Sequence, residues 1–197
     1  MNIAAGGRIP GAFAAGSVVE LAPGVHRGAL FVDGDLEVHG PDAVLDAKGR
    51  GAVAHVVEDR LKVVLSGLTL RGGRAQLGAG VFIEGHSEVL LRNVTIEAGR
   101  ATGGGSAVGA IRGQLTLESC RVQGEALFTG VSRVVLRDTV VTDDLLVREG
   151  ADVVLEGGAV EGSLDIRGTT TRAPTVTVRG TQIAELHNHP QMPGTLQ

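Results

Sequence analysis

Four groups of residues in this 197-residue chain could do chemistry. The first is Asp143-Asp144 with Arg148 nearby. Paired carboxylates can act as general acid and base, or hold Ca²⁺ against an anionic sugar, with Arg148 as the base. The same residues also suit a solvated corner, Thr142-Asp143-Asp144, whose side chains bond their own backbone. No second acidic cluster completes a metal site, so the corner is the preferred reading. The second group, His187-Asn188-His189, puts two imidazoles on one side of an extended segment, where they could share a metal. Two histidines are a thin ligand set, and Pro190 and Pro193 mark residues 187–197 as a tail leaving the last structural unit. The third is Cys120, the only cysteine; no histidine stands at a spacing that would activate it, and a small buried thiol is expected. The fourth, the glycine-rich Gly99–Gly109, has neither a following Lys-Ser/Thr nor a helix behind it, so it is a wide bend rather than a phosphate cradle. His26, His39, His55 and His86 share no spacing and receive no role. No metal and no cofactor is expected.

Composition narrows the partners. There is no Trp or Tyr, and the four Phe leave little to stack on bases or sugars. A net charge of −4, from 18 basic and 22 acidic residues, supplies no overall field for a polyanion, so a nucleic-acid partner is not expected. One cysteine closes no intrachain disulfide. The N-terminus lacks a basic start with an unbroken apolar run, and no apolar stretch approaches spanning length. The expectation is a cytoplasmic protein that does not enter a membrane.

The elements that would position these residues emerge from a repeat. An eight-residue unit, apolar at its first, third and eighth positions and small or turn-forming at its fifth, occurs six times: Val63–Leu70, Val89–Ile96, Leu115–Val122, Val134–Val141, Val153–Val160 and Val176–Ile183. The starts are separated by 26, 26, 19, 19 and 23 residues. The third column is Leu65, Leu91, Leu117, Leu136, Leu155 and Val178; the fifth is Gly67, Asn93, Ser119, Asp138, Gly157 and Gly180. Apolar pairs flanking a residue that tolerates positive φ describe strand, sharp bend, strand. A shorter alternation fills the gaps: Val81–Gly85, Gly109–Gly113, Ala126–Gly130, Leu145–Gly150 and Leu164–Gly168. Each coil therefore carries about three short strands. Coils pairing in parallel at about 4.8 Å form an all-β parallel β-helix, a single-stranded solenoid with a dry Val/Leu/Ile interior.

Leu36–Gly51 (LEVHGPDAVLDAKGRG), Val63–Gly73 (VVLSGLTLRGG) and Ala79–Gly85 (AGVFIEG) resemble the right-handed parallel β-helix repeats of the pectate-lyase-like superfamily. Val18–Gly28 is similar to the first coil of such proteins, and the resemblance covers roughly residues 17 to 186. It implies a right-handed solenoid over 17–186 behind an N-terminal cap at 1–16. It is silent on activity, because this superfamily includes lyases, hydrolases, tailspikes, adhesins and non-catalytic scaffolds. Polygalacturonase-like members carry Asn-Thr-Asp, Asp-Asp, Gly-His-Gly and Arg-Ile-Lys in order. Here only Asp143-Asp144 and an isolated Gly85-His86 match, and His86 precedes the pair.

With positions one and three inside, positions two and four face out. Position four alternates in sign from Arg92 through Glu118, Arg137 and Glu156 to Arg179, and the column before the unit (Lys62, Glu88, Gln114, Arg133, Asp152, Thr175) nearly does. Opposite charges on neighbouring coils should pair. Between them runs an apolar stripe at position two: Val64, Leu90, Thr116, Val135, Val154, Thr177. The shorter alternation offers a second stripe of Phe82, Ala110, Leu127 and Leu146, ended by Asp165. Two contiguous apolar stripes suggest covered surfaces, either under the chain's own long loops or against a partner. The resulting expectation is a non-catalytic scaffold or assembly module that binds a protein or itself through Phe82, Leu127, Leu146, Val64, Leu90, Val135 and Val154. The alternative is a carbohydrate-active enzyme or binder using Asp143, Asp144 and Arg148.

Overall fold

In a computed structural model, the Leu column stacks as the repeat requires. Leu65 pairs with Leu91, and the register continues through Leu117, Leu136 and Leu155 to Val178. It also extends toward the N-terminus through Val38 and Val19. The structure describes residues 1–197 apart from Ala12, Thr170, Thr171, residues 190–194 and Gln197, and for Thr195–Leu196 it gives the strand without its side chains. The whole is a parallel β-solenoid of about seven turns with no helices among the described residues.

Each coil has three walls. The first carries positions one to four of the unit, as in Ser17–Leu21, Glu88–Arg92, Asp152–Glu156 and Thr175–Arg179. The second carries positions seven and eight, as in Gly24–Arg27, Thr95–Glu97 and Arg121–Gln123. The third is the shorter alternation, as in Leu30–Val32, Ala54–Val56, Val81–Ile83 and Leu145–Arg148. Val108–Glu118 and Ala126–Arg137 run from the third wall round the corner into the first without a break. Inward columns from all three walls fill one interior. Fully buried Phe128 lies beside Ala110 on one side and Val147 on the other.

The bend between the first and second walls has one conformation throughout. Its residue has φ of 70° at Gly67, 51° at Asn93, 52° at Ser119, 46° at Asp138, 71° at Gly157 and 69° at Gly180. Asn and Asp enter this left-handed region with local side-chain support, whereas a Ser there carries about 1–2 kcal/mol of steric strain. A further copy of the unit lies at Leu36–Asp46. There Gly40-Pro41-Asp42 replaces the single bend residue, the register jumps from His39↔Ser66 to Ala43↔Leu68, and Asp42 takes the positive φ of 61°.

The irregular period has one main cause. Where starts are 26 apart, the extra residues sit at the corner between second and third walls, in the loops from Arg71 to Val81 and from Glu97 to Val108. Where they are 19 apart, the corner is the short step from Gln123 to Ala126 or from Val141 to Leu145. The long loops stack on each other, and Arg74–Ala75 pairs with Arg100–Ala101 as a separate two-stranded sheet. The expected wide bend at Gly99–Gly109 is one of these loops.

At the N-terminal end, Asn2–Ile3 pairs with the first coil and Ile9 is buried beneath it. At the other end Gln182–Asn188 runs from the second wall into the third, so His187 and Asn188 still belong to the last coil; Pro190 and Pro193 lie outside the described residues. One inward second-wall column reads Leu45, Leu70, Ile96, Val122, Val141 and Val160, but begins with His26. His26 is wholly buried; its Nε2 donates to the Ala22 carbonyl at 2.7 Å, and its Nδ1 has no partner.

Two stability changes follow. Ser119→Gly should raise the unfolding free energy by about 1 kcal/mol by relieving the left-handed strain. His26→Leu should also stabilise by about 1 kcal/mol, because it removes a buried acceptor that nothing satisfies. Urea denaturation of both variants against wild type measures the two shifts.

Candidate docking faces

On the first wall, the outward stripe Val64, Leu90, Thr116, Val135, Val154 and Thr177 is in unbroken register, each residue half-buried between its neighbours above and below. Beside it the expected charge ladder is complete. Arg92 Nε reaches Glu118 Oε2 at 2.7 Å, Arg137 Nη1 reaches Glu118 Oε1 at 3.1 Å, Arg137 Nε reaches Glu156 Oε2 at 2.9 Å, and Arg179 Nη1 reaches Glu156 Oε1 at 2.9 Å. Hydrogen bonds from Arg92 and then Arg137 hold Glu118 below its ordinary value against burial, and Arg137 with Arg179 does the same for Glu156. On the other side of the stripe the pairing is sparser, with Arg133–Asp152 at 3.5 Å. This wall therefore presents an apolar band beside a row of charges that neutralise each other.

The third wall differs. Its outward column is Phe31, His55, Phe82, Gly109, Leu127, Leu146, Asp165 and His187. The expected member Ala110 is one residue out of step: it is buried, pairs with Ile83 and Phe128, and leaves Gly109 facing outward. A slip of one residue on a strand exchanges its faces. Phe31 and His55, absent from the expected stripe, extend it upward. The Phe31 and His55 rings meet edge-on at 5.8 Å, and His55 stacks on Phe82 at 4.9 Å. Phe31 is 48% exposed. The signal for both was available in Leu30-Phe31-Val32 and Ala54-His55-Val56, which have the alternation of Val81-Phe82-Ile83.

The stacked loops shelter the middle of this column. A Cβ at Gly109 would meet Gly78 N at 2.9 Å, and one at Gly105 would meet Leu127 Cβ at 3.3 Å, so Gly78 lies over Gly109 and Gly105 lies against Leu127. Apolar surface thus remains in two places, at Phe31–His55–Phe82 above the covered stretch and at Leu146 below it.

The residues with chemical potential lie apart. Asp143 Oδ1 accepts the Asp144 backbone N–H at 3.0 Å, and Asp144 Oδ1 accepts from Ser163 N and Oγ, both at 2.8 Å. Arg148 lies at the far end of its strand from Asp144, about 13 Å along the chain. It turns instead to Asp165, donating to that residue's carbonyl at 2.7 Å and to its carboxylate at 3.3 Å. Arg167 grips the same carboxylate at 2.8 and 3.0 Å, and His189 Nε2 stands 3.3 Å from it. Burial would raise the Asp165 pKa, but Arg167 and Arg148 outweigh it and hold the group below its ordinary 3.8. His187 points to Glu185 at 2.8 Å, so the two histidines of the HNH stretch face different carboxylates. Among the described residues no group of three or more His, Cys, Asp or Glu is arranged to hold a metal ion. Cys120 is buried, its Sγ donates to the Leu91 and Glu118 carbonyls at 3.4 and 3.3 Å, and burial pushes its pKa up to about 11. A shallow hollow of about 420 Å³ at the corner between third and first walls is lined by Arg60, Lys62, His86, Glu88 and Arg133. There Asp59 accepts the His86 backbone N–H at 2.6 Å.

No protein-family model, no curated protein and no solved structure matches this chain.

The Asp165 cluster predicts a pH effect. Its folded pKa is depressed, so its stabilisation is complete above the ordinary value of 3.8 and is lost as pH falls through the folded value. Asp165→Asn should cost about 2–3 kcal/mol at neutral pH and flatten the loss of stability below about pH 4. Thermal unfolding of both proteins from pH 3 to pH 7 checks this.

Proposed function

We propose that this protein is a non-catalytic scaffold that docks a protein partner or a second copy of itself through the apolar stripes on its outer walls. One observation carries the reading: the register aligns apolar side chains coil over coil on two outward columns, giving a continuous band on the first wall and two apolar stretches on the third rather than scattered residues. On the first wall the neighbouring charges are spent on each other, so recognition there falls to Val64, Leu90, Val135 and Val154. On the third it falls to Phe31, Phe82 and Leu146, with Leu127 sheltered by Gly105. We read the coils as pectate-lyase-like on the strength of their sequence resemblance, and the superfamily's non-catalytic members supply the analogy. A carbohydrate-active reading needs Asp143, Asp144 and Arg148 to act on one substrate. Against it weighs the engagement of Asp144 by Ser163 and of Arg148 by Asp165.

The test uses one substitution per stripe, Val135→Asp and Leu146→Asp, both outward and away from the interior. Association of the tagged protein with native partners or itself, followed by affinity capture and light scattering, should weaken at least tenfold in one variant while the β-sheet circular dichroism is unchanged. A wild type that captures nothing and stays monomeric would refute the reading. So would turnover of a uronate polymer that disappears in Asp143→Asn/Asp144→Asn.

A further inference from the structure

The third wall has oppositely charged edges. Every strand in it starts at the corner that carries the stacked loops and ends at the corner leading to the first wall. The starting edge, over the first coils, holds Arg8, Arg27, Lys48, Arg50, Arg74 and Arg100, with Arg71 behind them. Lys48 and Arg71 are paired with buried Asp46 at 2.9 and 3.2 Å, and Glu97 and Glu125, which accepts the Gly105 backbone N–H, are further carboxylates of this edge. Arg8, Arg27, Arg50, Arg74 and Arg100 form no ion pair among the described residues. The finishing edge of the same coils holds exposed Asp33, Asp35, Glu58, Asp59 and Glu84, tempered by Arg60 and, on the coil of Arg100, by Arg112. Of these, Asp59 meets His86 and Glu84 meets His55, while Asp33 and Glu58 have no ion pair among the described residues. Between the edges stand the rings of Phe31, His55 and Phe82.

We infer that this face mates with the same face of a second copy, the two solenoids lying side by side with a two-fold axis parallel to their length. The inference rests on the lateral-docking reading above and names its occupant. A polyanion would suit the basic edge but would be repelled by the acidic edge a wall's width away, and an acidic protein would leave the finishing edge unsatisfied. A second copy satisfies both edges at once. Charge also selects the symmetry. A two-fold along the strands would set base on base and acid on acid. A two-fold along the solenoid reverses the strands, so that each coil's basic edge meets the acidic edge of the equivalent coil and ring faces ring. The four rungs from Phe31 to Gly109, at about 4.8 Å each and roughly 20 Å from corner to corner, give a face of about 400 Å², well below the ~800 Å² per partner of a standard interface. The dimer is therefore expected to form with rising concentration and to weaken in high salt.

The decisive experiment is a charge swap read by sedimentation equilibrium. Arg74→Glu/Arg100→Glu strips most of the net positive charge from the basic edge, and Asp33→Lys/Glu84→Lys strips the net negative charge from the acidic one. Each variant alone should dimerise at least tenfold more weakly than wild type, and an equimolar mixture should recover a one-to-one heterodimer. Three results would overturn the inference. The first is a wild type monomeric at about 100 μM. The second is two variants that fail to restore each other although each keeps the wild-type circular dichroism. The third is a dimer untouched by both swaps but lost in Val135→Asp, which would move association to the first wall and leave the docking reading standing.

Discussion

Everything in this molecule depends on one requirement: each coil must lay an apolar side chain directly over the one in the coil before it while its backbone pairs with that coil. A coil has no core of its own. Leu91 is buried because Leu65 and Leu117 cover it, and neither would be dry without Leu91. Burying each such side chain contributes about 1.5–3 kcal/mol, but only if the chain turns at the same place in every coil. That is the work of the bend residue. Its positive φ recurs at Gly67, Asn93, Ser119, Asp138, Gly157 and Gly180, even where the side chain opposes it, because a coil that bent elsewhere would present its polar face to the interior.

The same requirement explains what could be read in advance. Interior columns repeat a residue type at a constant offset from a bend, so the column from Leu65 to Val178 and its corner residues were legible. The segment Leu36–Asp46 was recognised as a coil by resemblance but not as a copy of the eight-residue unit, because Gly40-Pro41-Asp42 lengthens the bend and breaks the offset without disturbing the columns on either side. Outward columns obey no such rule. Ala110 was placed outside because Gly109–Gly113 resembles its neighbours with the frame moved by one residue, and both Gly109 and Ala110 are small enough to sit on either face. Phe31 and His55 lie on strands that precede the first recognised copy of the unit, at Val63, so no flanking copies framed their alternation. Asp165 was read only as the end of a stripe: Arg167 stands two residues along the same strand face, but Arg148, the second guanidinium, becomes its partner only through coil pairing.

Electrostatics divides the two outer walls. On the first, alternating signs at one position put Glu118 and Glu156 each between guanidiniums of adjacent coils, which also penalises a coil slipped out of register. On the third, charges of one sign gather at each edge, so they remain available beyond the chain. Two uses of the same residue types thus coexist on one solenoid. The distinction lies in whether the sign alternates along the stack or across it.

The corner between second and third walls absorbs most of the variation in coil length, and this gives the loops a separate significance. A segment inserted there displaces neither the strand before it nor the strand after it, because both are held by coils above and below. The loop from Glu97 to Val108 shows the result, projecting far enough to set Gly105 against Leu127. The steps from Gln123 to Ala126 and from Val141 to Leu145 are short by comparison, and Leu146 stays uncovered beside them. How much of the third wall meets the outside world is therefore adjustable by insertion and deletion alone. An accretion of a few residues at either short corner would extend the awning over Leu146, and trimming the long loops would bare Gly109 and Leu127, with no interior residue obliged to change.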